Sequence, residues 1–267
     1  MDLGLQGKRA LVTGSSSGIG ATIADLLAQE GVRVVVHGRR DDAARAVAEG
    51  IGGPDKAVVV LGDIAEPAEA ERVAREAVEA FGGIDILINN AGGFGPSNWD
   101  ETNPDEWTAL YRTNVSSAVS LSAALAPPMK ERGWGRIIQI GSATGALAMP
   151  NSPVYAATKA ALANMSSSLA KHYGEFGITS NLIGVGTIAT AWMRNLFPQT
   201  EETKDRDPIY EMMLGAPSGN YHTNPIKRMG LPEEVAYAVM MLASPRAAFI
   251  NGVILRVDGG MVPNIGL

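Results

Sequence analysis

The feature that most limits the fold of this chain is a regular alternation of short apolar runs and longer helical patterns. Most of the apolar runs are rich in β-branched residues, and apolar side chains follow one another, as in strands of a sheet covered on both faces. They predict seven strands: RALVT (9–13), RVVVH (33–37), AVVVL (57–61), IDILIN (84–89), RIIQIG (136–141), TSNLIGV (179–185) and VILRV (253–257).

Helical patterns fill the intervals between these runs. A strand–helix alternation of this kind predicts an α/β fold, a doubly wound parallel sheet of about seven strands with helices on both faces. One helix has a clear start, because Ser152 can cap it and Pro153 suits the first helical position. The predicted helices lie near residues 18–30, 41–50, 67–81, 104–131, 153–173 and 232–243.

One irregular region interrupts this order, at about residues 190–227. It follows the sixth strand, so we expect a lid near the carboxyl ends of the strands, where ligands bind in such sheets. No linker or repeat is visible elsewhere, and residues 1–267 are predicted to form a single domain. The apolar residues of the lid can cover a site or simply pack on the domain: Trp192, Met193, Leu196 and Phe197.

Composition excludes several classes of function. The net charge is −6 without long runs of like charge, which argues against nucleic acid or an anionic membrane as the main partner. The chain has no cysteine, which excludes disulfides and thiolate chemistry. The three histidines are widely spaced, so no metal site is predicted. No apolar stretch approaches about 18 residues and no secretory pattern opens the chain, so we expect a cytoplasmic protein.

The first predicted strand runs into the glycine-rich stretch TGSSSGIG, residues 13–20, and a helix follows. Gly14, Gly18 and Gly20 lie where a strand must turn sharply and where a phosphate can approach the backbone amides at a helix N-terminus. The spacing is G-x-x-x-G-x-G. An ordinary glycine-rich turn is the alternative.

The same residues also fit a motif of hydrolases. Residues 14–18 also satisfy G-x-S-x-G, the strand–turn–helix elbow of an α/β hydrolase, with Ser16 as the nucleophile. That enzyme needs an acid and a histidine later in the chain, and only His172 and His222 are plausible as the base. The elbow would also lie on the first strand, with nothing before it to build an oxyanion hole. We therefore do not favour this reading.

The end of the second strand indicates which dinucleotide is bound. An enzyme that uses NAD places an acid there, about 20 residues after the glycines, to bind the ribose 2′-hydroxyl. This chain has Gly38 at that point, followed by Arg39 and Arg40, whose guanidinium groups can clamp a 2′-phosphate. Asp41 and Asp42 are expected to form the cap and first turn of the next helix. NADP(H) is therefore preferred, with arginines solvated beside an NAD(H) site as the alternative.

A further pattern lies in the helix predicted near 153–173. In YAATK, Tyr155 and Lys159 are four positions apart and so share one helical face. A solvated face tolerates that pair, and so does a proton-transfer site. The pair by itself does not decide between them.

Taken together, the motifs resemble those of the short-chain dehydrogenases/reductases, and the resemblance covers essentially the whole chain. The similarity is greatest to bacterial members like the β-ketoacyl carrier-protein reductases. It implies a Rossmann-type fold and a nicotinamide-dependent oxidoreductase. The motifs occur in the family's order: TGSSSGIG, NNAG (89–92), TNVSS with Asn114, GSATG (141–145), YAATK, RMGLPEEVA (228–236) and VDGG (257–260).

The chemistry needs residues that orient a carbonyl and supply a proton. Ser142 can hydrogen-bond the substrate oxygen, and Tyr155 can protonate it during reduction. A free tyrosine has a pKa near 10, and we expect the Lys159 cation to lower that value. The resemblance implies two further roles, hydrogen bonds from Lys159 to the nicotinamide ribose and a water-mediated proton path through Asn114.

The resemblance also implies a set of cofactor contacts along the carboxyl edge of the sheet. The chain departs from the family pattern at Val185, where members usually have proline, so we expect a less preordered loop there. The implied cofactor contacts are Gly14, Ser16, Ser17, Gly18, Ile19, Gly20, Arg39, Arg40, Asp63, Ile64, Asn90, Ala91, Gly92, Tyr155, Lys159, Gly186, Thr187 and Ile188.

The sequence thus predicts an NADP(H)-dependent oxidoreductase that acts on a ketone or secondary alcohol, either a 3-oxoacyl-type or a small carbonyl substrate. The alternatives are an NAD-dependent alcohol or sugar dehydrogenase of the same fold and a catalytically silent nucleotide-binding scaffold. Lys130, Arg132 and Lys171 could hold an acidic carrier, although scattered surface charge explains them as simply. The family suggests a homotetramer, and small residues allow close approach of a second helix: Ala156, Ala157, Ala160, Ala161 and Ala163.

Overall fold

A computed structural model describes residues 2–95, 98–191, 193 and 224–263. Most of the predicted lid, 190–227, therefore lies outside the described residues, including Trp192, Leu196 and Phe197. No helix in the described ranges is long and apolar enough to cross a membrane.

A single seven-stranded sheet organises the described residues, and each strand pairs in parallel with its neighbours in the order β3-β2-β1-β4-β5-β6-β7. All seven predicted strands are present, with ends shifted by up to two residues. This confirms the doubly wound α/β prediction. The strands are β1 (Arg9–Val12), β2 (Arg33–Gly38), β3 (Ala57–Leu61), β4 (Ile86–Asn89), β5 (Gly135–Ile140), β6 (Ile178–Val185) and β7 (Ile254–Val257).

The helices also follow the predicted order, with one interruption. The helix predicted over 104–131 contains one π-helical turn, Arg112–Ser116, between two α-helical segments. A π turn holds one more residue than an α turn and is frequent at functional sites. The helices are α1 (Gly18–Gln29), α2 (Asp41–Ile51), α3 (Pro67–Phe81), α4 (Pro104–Tyr111), α5 (Ser117–Glu131), α6 (Pro153–Tyr173) and α7 (Pro232–Ala243).

Apolar side chains cover the sheet on both faces. One buried cluster joins Ile23 and Leu27 of α1 to Val239 of α7. The other joins residues of α3 and α5, such as Val73 and Leu121, to the opposite side of the strands. Strands buried on both sides need apolar residues at successive positions, which explains the unbroken apolar runs of the sequence.

Two helix starts differ from the sequence prediction. Asp41 does not cap α2, because Arg40 occupies the N-cap position and the Asp41 carboxylate pairs with Arg45 at 2.8 Å. Asp41 and Asp42 both lie in the first turn. Ser152 does occupy the N-cap position of α6 but makes no side-chain cap bond. Its hydroxyl donates to the carbonyl of Gly95 instead.

The alanines of α6 divide between its two sides. Ala157 and Ala160 are exposed, while Ala161 and Ala163 are half-buried. Ala156 is buried within the chain, so its predicted place on a subunit surface is wrong. Ala156 directly follows Tyr155 in the sequence and lies on the side of α6 that packs against the rest of the protein.

Parallel pairing brings the carboxyl ends of all strands to one edge of the sheet. The chain order reverses between β1 and β4, which are hydrogen-bonded neighbours. A crevice forms outside the carboxyl ends of such a pair, since the connections leave in opposite directions. The glycine-rich stretch follows β1, so the fold places it at this crevice.

Candidate active site

Tyr155 and Lys159 lie one turn apart near the start of α6. The buried Lys159 amine donates a 3.0 Å hydrogen bond to the carbonyl of Ile140, the last residue of β5. The amine also lies 5.5 Å from the centroid of the Tyr155 ring. The two side chains of the YAATK pattern therefore meet at the carboxyl end of a central strand.

The ionisation of this pair differs from the expectation. Burial raises the pKa of the Tyr155 phenol, and a hydrogen bond with Ser142 offsets only part of that effect. Burial also lowers the pKa of Lys159 to about 8. The prediction that the lysine would lower the phenol pKa is wrong for the chain by itself, because desolvation dominates both groups. The phenol therefore remains protonated at neutral pH and can donate a proton.

Ser142 lies two residues beyond β5, where it begins a short 3₁₀ turn, Ala143–Gly145. Its hydroxyl oxygen accepts hydrogen bonds from the backbone N–H of Thr144 at 3.2 Å and from the Thr144 hydroxyl at 2.9 Å. With those two donors on its oxygen, Ser142 can donate its own proton to another acceptor. Sequence reasoning missed Thr144, although its place in GSATG was a signal.

Asn114 lies in the π turn and is fully buried. Its side-chain oxygen accepts a 2.7 Å hydrogen bond from the Gly93 N–H, and its amide group donates to the Gly93 carbonyl at 3.1 Å. The amide group also donates to the Thr158 hydroxyl at 3.0 Å. Asn114 thus joins the loop after β4 to α6, next to Lys159. Its side chain holds the two elements together.

The glycine-rich turn leaves β1 at Gly14, whose φ of 62° lies in the left-handed region. A side chain there would also come within 2.9 Å of the Ala91 backbone. Ser17 is the N-cap residue of α1 and makes no side-chain cap bond, so its side chain does not occupy the amides of the first turn. Ser16, Gly18 and Ile19 are half-buried around this helix start, and Gly20 is buried.

Asn90 clamps the glycine-rich turn. Its amide group donates to the carbonyls of Thr13 at 2.8 Å and Gly14 at 3.1 Å. The backbone N–H groups of Asn90 and Ala91 both donate to the Thr13 hydroxyl. Gly92 lies close to the lysine, because a side chain at position 92 would come within 3.5 Å of the Lys159 amine. Asn90, Ala91 and Gly92 border the crevice, and the Asn90 side chain holds the glycine-rich turn in place.

The ends of β2 and β3 bring together the residues predicted to select the cofactor. The Arg39 guanidinium lies 3.9 Å from the Asp63 carboxylate, and both side chains are exposed. Arg40 is exposed as well, whereas the Ile64 side chain is buried in the core. A side chain at Gly38 would come within 2.9 Å of the Ser16 Cβ. The turn after β1 therefore leaves no room for an acid at position 38.

The loop after β6 borders the other half of the crevice. Its backbone pairs with Gly230, which donates to the Thr187 carbonyl at 3.0 Å and accepts from the Ala189 N–H at 2.9 Å. Ile188 is buried in the core. Val185 ends β6 opposite Val257, so strand pairing holds its backbone where the family has proline.

Neighbouring parts of the chain approach Gly186 and Gly18 closely. A side chain at Gly186 would lie 2.8 Å from the Asp258 backbone, and one at Gly18 would lie 3.5 Å from the Thr190 side chain. The loops after β1 and β6 therefore face each other across the crevice.

These surroundings fit a dinucleotide. The glycine-rich turn packs too closely on the Ala91 backbone for a side chain at Gly14, and it leads into the first turn of α1, where a pyrophosphate binds favourably. The Arg39 guanidinium lies on one side of the crevice, after β2, and the Lys159 amine lies on the other side, at the end of β5. No cluster of potential metal ligands occurs among the described residues.

The hydrolase alternative is not supported by the described residues. His172 lies in the last turn of α6, at the amino ends of the strands and far along the helix from Tyr155. Both ring nitrogens of His37 bond to backbone atoms of Gly14 and Gly62. Ser16 therefore has no histidine base in this part of the chain, and His222 lies outside the described residues.

The basic residues suggested for an acidic carrier lie at the wrong end of the sheet. Lys130 and Arg132 flank the end of α5, where Lys130 lies over the Phe176 ring and Arg132 pairs with Asp85 at 3.5 Å. Lys171 lies in the last turn of α6. Both helices run antiparallel to the strands, so these residues are remote from Tyr155.

Sequence reasoning missed one aromatic neighbour of the catalytic tyrosine candidate. The Phe94 ring packs edge-on against Tyr155, with ring centroids 5.2 Å apart, and remains half-exposed. Phe94 follows the NNAG motif by two residues, at the carboxyl end of β4. An aromatic residue immediately after a strand-end motif was the available signal.

A glycine-rich turn that suits a phosphate lies at the switch point of the parallel sheet, and a protonated phenol, a serine and a buried lysine lie beside it. This combination is that of an NAD(P)-dependent dehydrogenase or reductase. The chain belongs to the short chain dehydrogenase family, whose sequence profile matches residues 8–201. It acts as an oxidoreductase on carbonyl or alcohol substrates.

Similar proteins differ in substrate. The chain is 36% identical to the 3-oxoacyl-(acyl-carrier-protein) reductase FabG of Escherichia coli (strain K12), over 97% of this chain and 99% of that one. It superposes on L-sorbose reductase from Gluconobacter frateurii, solved with NADPH and L-sorbose, with a TM-score of 0.87, 36% identity and coverage of 99% and 100%. A 7α-hydroxysteroid dehydrogenase with NADH and a 7-oxo bile acid gives a TM-score of 0.85, 35% identity and coverage of 99% and 98%.

The buried lysine should reduce the stability of the chain. The ordinary pKa of a lysine is 10.5, and burial lowers that of Lys159 to about 8. Charging the amine at pH 7 therefore costs more in the folded state than in the unfolded state. We expect Lys159→Met to unfold at a higher urea concentration at pH 7, with a gain of up to about 3 kcal/mol.

The sign of this effect determines its pH dependence. The gain is fully present below pH 8 and disappears as the pH rises to 10.5, because the amine is then neutral in both states of the wild type. Urea unfolding of both proteins between pH 7 and 10.5 measures it. A variant less stable than the wild type at pH 7 would contradict the assignment of burial as the dominant cause.

Proposed function

We propose that the protein is an NADP(H)-dependent reductase of ketones, with the reverse oxidation of secondary alcohols, and that its substrate is of 3-oxoacyl type or a small carbonyl compound. The single observation that carries this proposal is the Tyr155 phenol, which lies beside the buried Lys159 amine at the carboxyl end of β5 and whose pKa is raised by burial. A proton donor of this kind suits the formation of an alcohol from a ketone. FabG of Escherichia coli and L-sorbose reductase, both similar to this chain, are named as reductases.

The proposed roles of the residues follow from their contacts. The Ser142 hydroxyl, with its oxygen already bonded by Thr144, donates to the carbonyl oxygen and stabilises developing negative charge. The Tyr155 phenol gives its proton to that same oxygen. Asn114 holds the loop after β4 against α6 and so fixes the wall beside the amine of Lys159. A bound nicotinamide supplies the hydride to the carbonyl carbon.

Lys159 is proposed to hold the ribose of the nicotinamide and to replace the proton lost by Tyr155. Its amine is fixed by the Ile140 carbonyl and has a pKa of about 8. An amine of that pKa can release and recover a proton near neutral pH.

The proposed preference for NADP(H) rests on the ends of β2 and β3. A side chain at Gly38 would meet Ser16, so the acid that binds the 2′-hydroxyl of NAD has no room at this position. Arg39 is exposed beside the carboxylate of Asp63 and presents a guanidinium to a 2′-phosphate. The alternative, an NAD-dependent alcohol or sugar dehydrogenase, is favoured by the NADH complex of the similar steroid dehydrogenase.

The reaction can be tested with a panel of carbonyl compounds that includes 3-oxoacyl thioesters, ketoses and simple ketones. We expect the wild type to oxidise NADPH with at least one class, followed by absorbance at about 340 nm. Tyr155→Phe should reduce kcat by about a thousandfold or more with little change in the NADPH Kd, because only the proton donor is removed.

Fluorescence titration of bound NADPH supplies the control for that variant. Unchanged turnover in Tyr155→Phe would remove Tyr155 from its proposed role. A folded wild type that binds neither NADPH nor NADH would contradict the proposed function as a whole.

Arg39 should set the cofactor preference. In Arg39→Ala, we expect the ratio of kcat/KM for NADPH to that for NADH to fall by about 10- to 100-fold, because the charge-assisted bonds to the 2′-phosphate are lost. Arg45→Ala is the matched control, since Arg45 lies one turn into α2 and pairs with Asp41. An unchanged ratio in Arg39→Ala would exclude this role.

We further propose a homotetramer. Exposed apolar side chains surround β7, the outer strand of the sheet, which pairs only with β6 in the described residues. A second exposed surface of small residues lies on α6, at Ala157 and Ala160. Two separate surfaces of this kind suit an assembly with two types of contact. The exposed apolar residues near β7 are Tyr237, Met241, Phe249, Val253 and Ile254.

Sedimentation velocity tests the assembly. We expect a wild-type mass of about four times the 27.9 kDa chain. Ile254→Arg should yield a smaller species, because a charge is then placed in an apolar contact. Glu49→Arg, at an exposed position of α2, is the control and should leave the mass unchanged. A monomeric wild type would contradict the proposal.

The predicted single domain over 1–267, the lid over 190–227 and the cytoplasmic location remain proposals. The sheet supports the first, since all seven strands lie in one layer. The second is supported by Thr190, at the start of the lid, which faces Gly18 across the crevice.

A further inference from the structure

A buried histidine at the end of β2 has no part in the roles described so far. His37 is only 2% exposed. Its Nδ1 accepts a 3.2 Å hydrogen bond from the Gly14 N–H, and its Nε2 lies 3.2 Å from the Gly62 carbonyl. These two bonds fix the tautomer, because an acceptor at Nδ1 requires the proton on Nε2, which then donates to Gly62.

The His37 backbone adds further bonds to the same turn. The His37 N–H donates to the Ser15 hydroxyl at 3.0 Å, and the His37 carbonyl accepts from the Ser15 N–H at 2.8 Å. The Ser15 hydroxyl donates in turn to the Val12 carbonyl at 2.6 Å. The end of β2 and the turn after β1 are therefore connected at successive residues.

The ring contact completes the fixation of the two peptide groups that flank the Gly14 Cα. The Gly14 N–H is held by His37, and the Gly14 carbonyl accepts from the Asn90 amide group at 3.1 Å. With both sides of Gly14 engaged inside the protein, the N–H groups that remain for a ligand are those at the start of α1, which have no partner within the helix. The bond from Nε2 in turn holds the carbonyl of Gly62, the residue directly before Asp63.

We propose that the neutral imidazole of His37 is a positioning residue for the adenosine half of the cofactor site. One ring fixes the loops after β1 and β3 to the end of β2, and these three loops carry Gly18, Asp63 and Arg39. Burial lowers the pKa of His37 to about 4, so the ring keeps its unprotonated Nδ1 at neutral pH. The inference rests on dinucleotide binding by the family and is independent of the carbonyl substrate.

Three substitutions separate the two ring contacts. The side-chain oxygen of asparagine can take the place of Nδ1, so His37→Asn can keep the bond from Gly14. The longer amide of glutamine can reach the place of Nε2, so His37→Gln can keep the bond to Gly62. His37→Leu fills similar space and keeps neither bond.

Direct binding is the readout, with NADPH and with adenosine 2′,5′-bisphosphate, which lacks the nicotinamide half. We expect His37→Leu to raise both Kd values by about tenfold and by the same factor, because the loss lies in the adenosine half. His37→Asn should recover most of the binding lost in His37→Leu, and His37→Gln should recover less. Thermal unfolding of each variant, measured alongside, shows that it is folded at the assay temperature.

The outcomes separate this inference from the proposed function. If the wild type binds NADH and not NADPH, the NADP(H) preference fails, and adenosine 5′-diphosphate replaces the bisphosphate in the same comparison. If the wild type binds a dinucleotide and all three variants bind it equally well, the role of His37 is overturned. It is also overturned if His37→Asn and His37→Leu lose the same affinity, since a merely structural histidine would make no such distinction.

Discussion

Parallel pairing of β1 with β4 is the constraint on which the site depends. Because the chain order reverses between these neighbours, the loops that follow them diverge and leave a crevice at the carboxyl edge of the sheet. Asn90 spans the divergence by bonding back to the carbonyls of Thr13 and Gly14. Among the described residues, those proposed to serve the reaction lie on both sides of that junction, from Arg39 on one side to Lys159 on the other.

The proposed catalytic pair, Tyr155 and Lys159, shows how burial that stabilises a fold can disfavour a charged group. Lys159 is buried where its charge is disfavoured, and its amine is held by a carbonyl of β5. The same burial keeps the Tyr155 phenol protonated. The chain therefore maintains two poorly solvated polar groups side by side, an arrangement typical of functional sites.

The sequence predicted the sheet well because its signals are local. Seven apolar runs and the turns between them mark the strands, and the glycine spacing marks the turn after β1. The misses depend on contacts between distant residues. The wrong direction for the pKa of Tyr155 arose because spacing reveals a neighbouring lysine and does not reveal burial. His37 was passed over as part of a strand, since its partners Gly14 and Gly62 lie 23 and 25 residues away.

The close approach of Ser16 to Gly38 limits which side chains position 38 can hold. A single substitution of Gly38 by aspartate would press its Cβ against the Ser16 side chain, at 2.9 Å from the Ser16 Cβ. Glycine at position 16 would relieve that contact. The residue that position 38 can hold therefore depends on the residue at position 16, because both side chains would occupy the same space where the turn after β1 meets the end of β2.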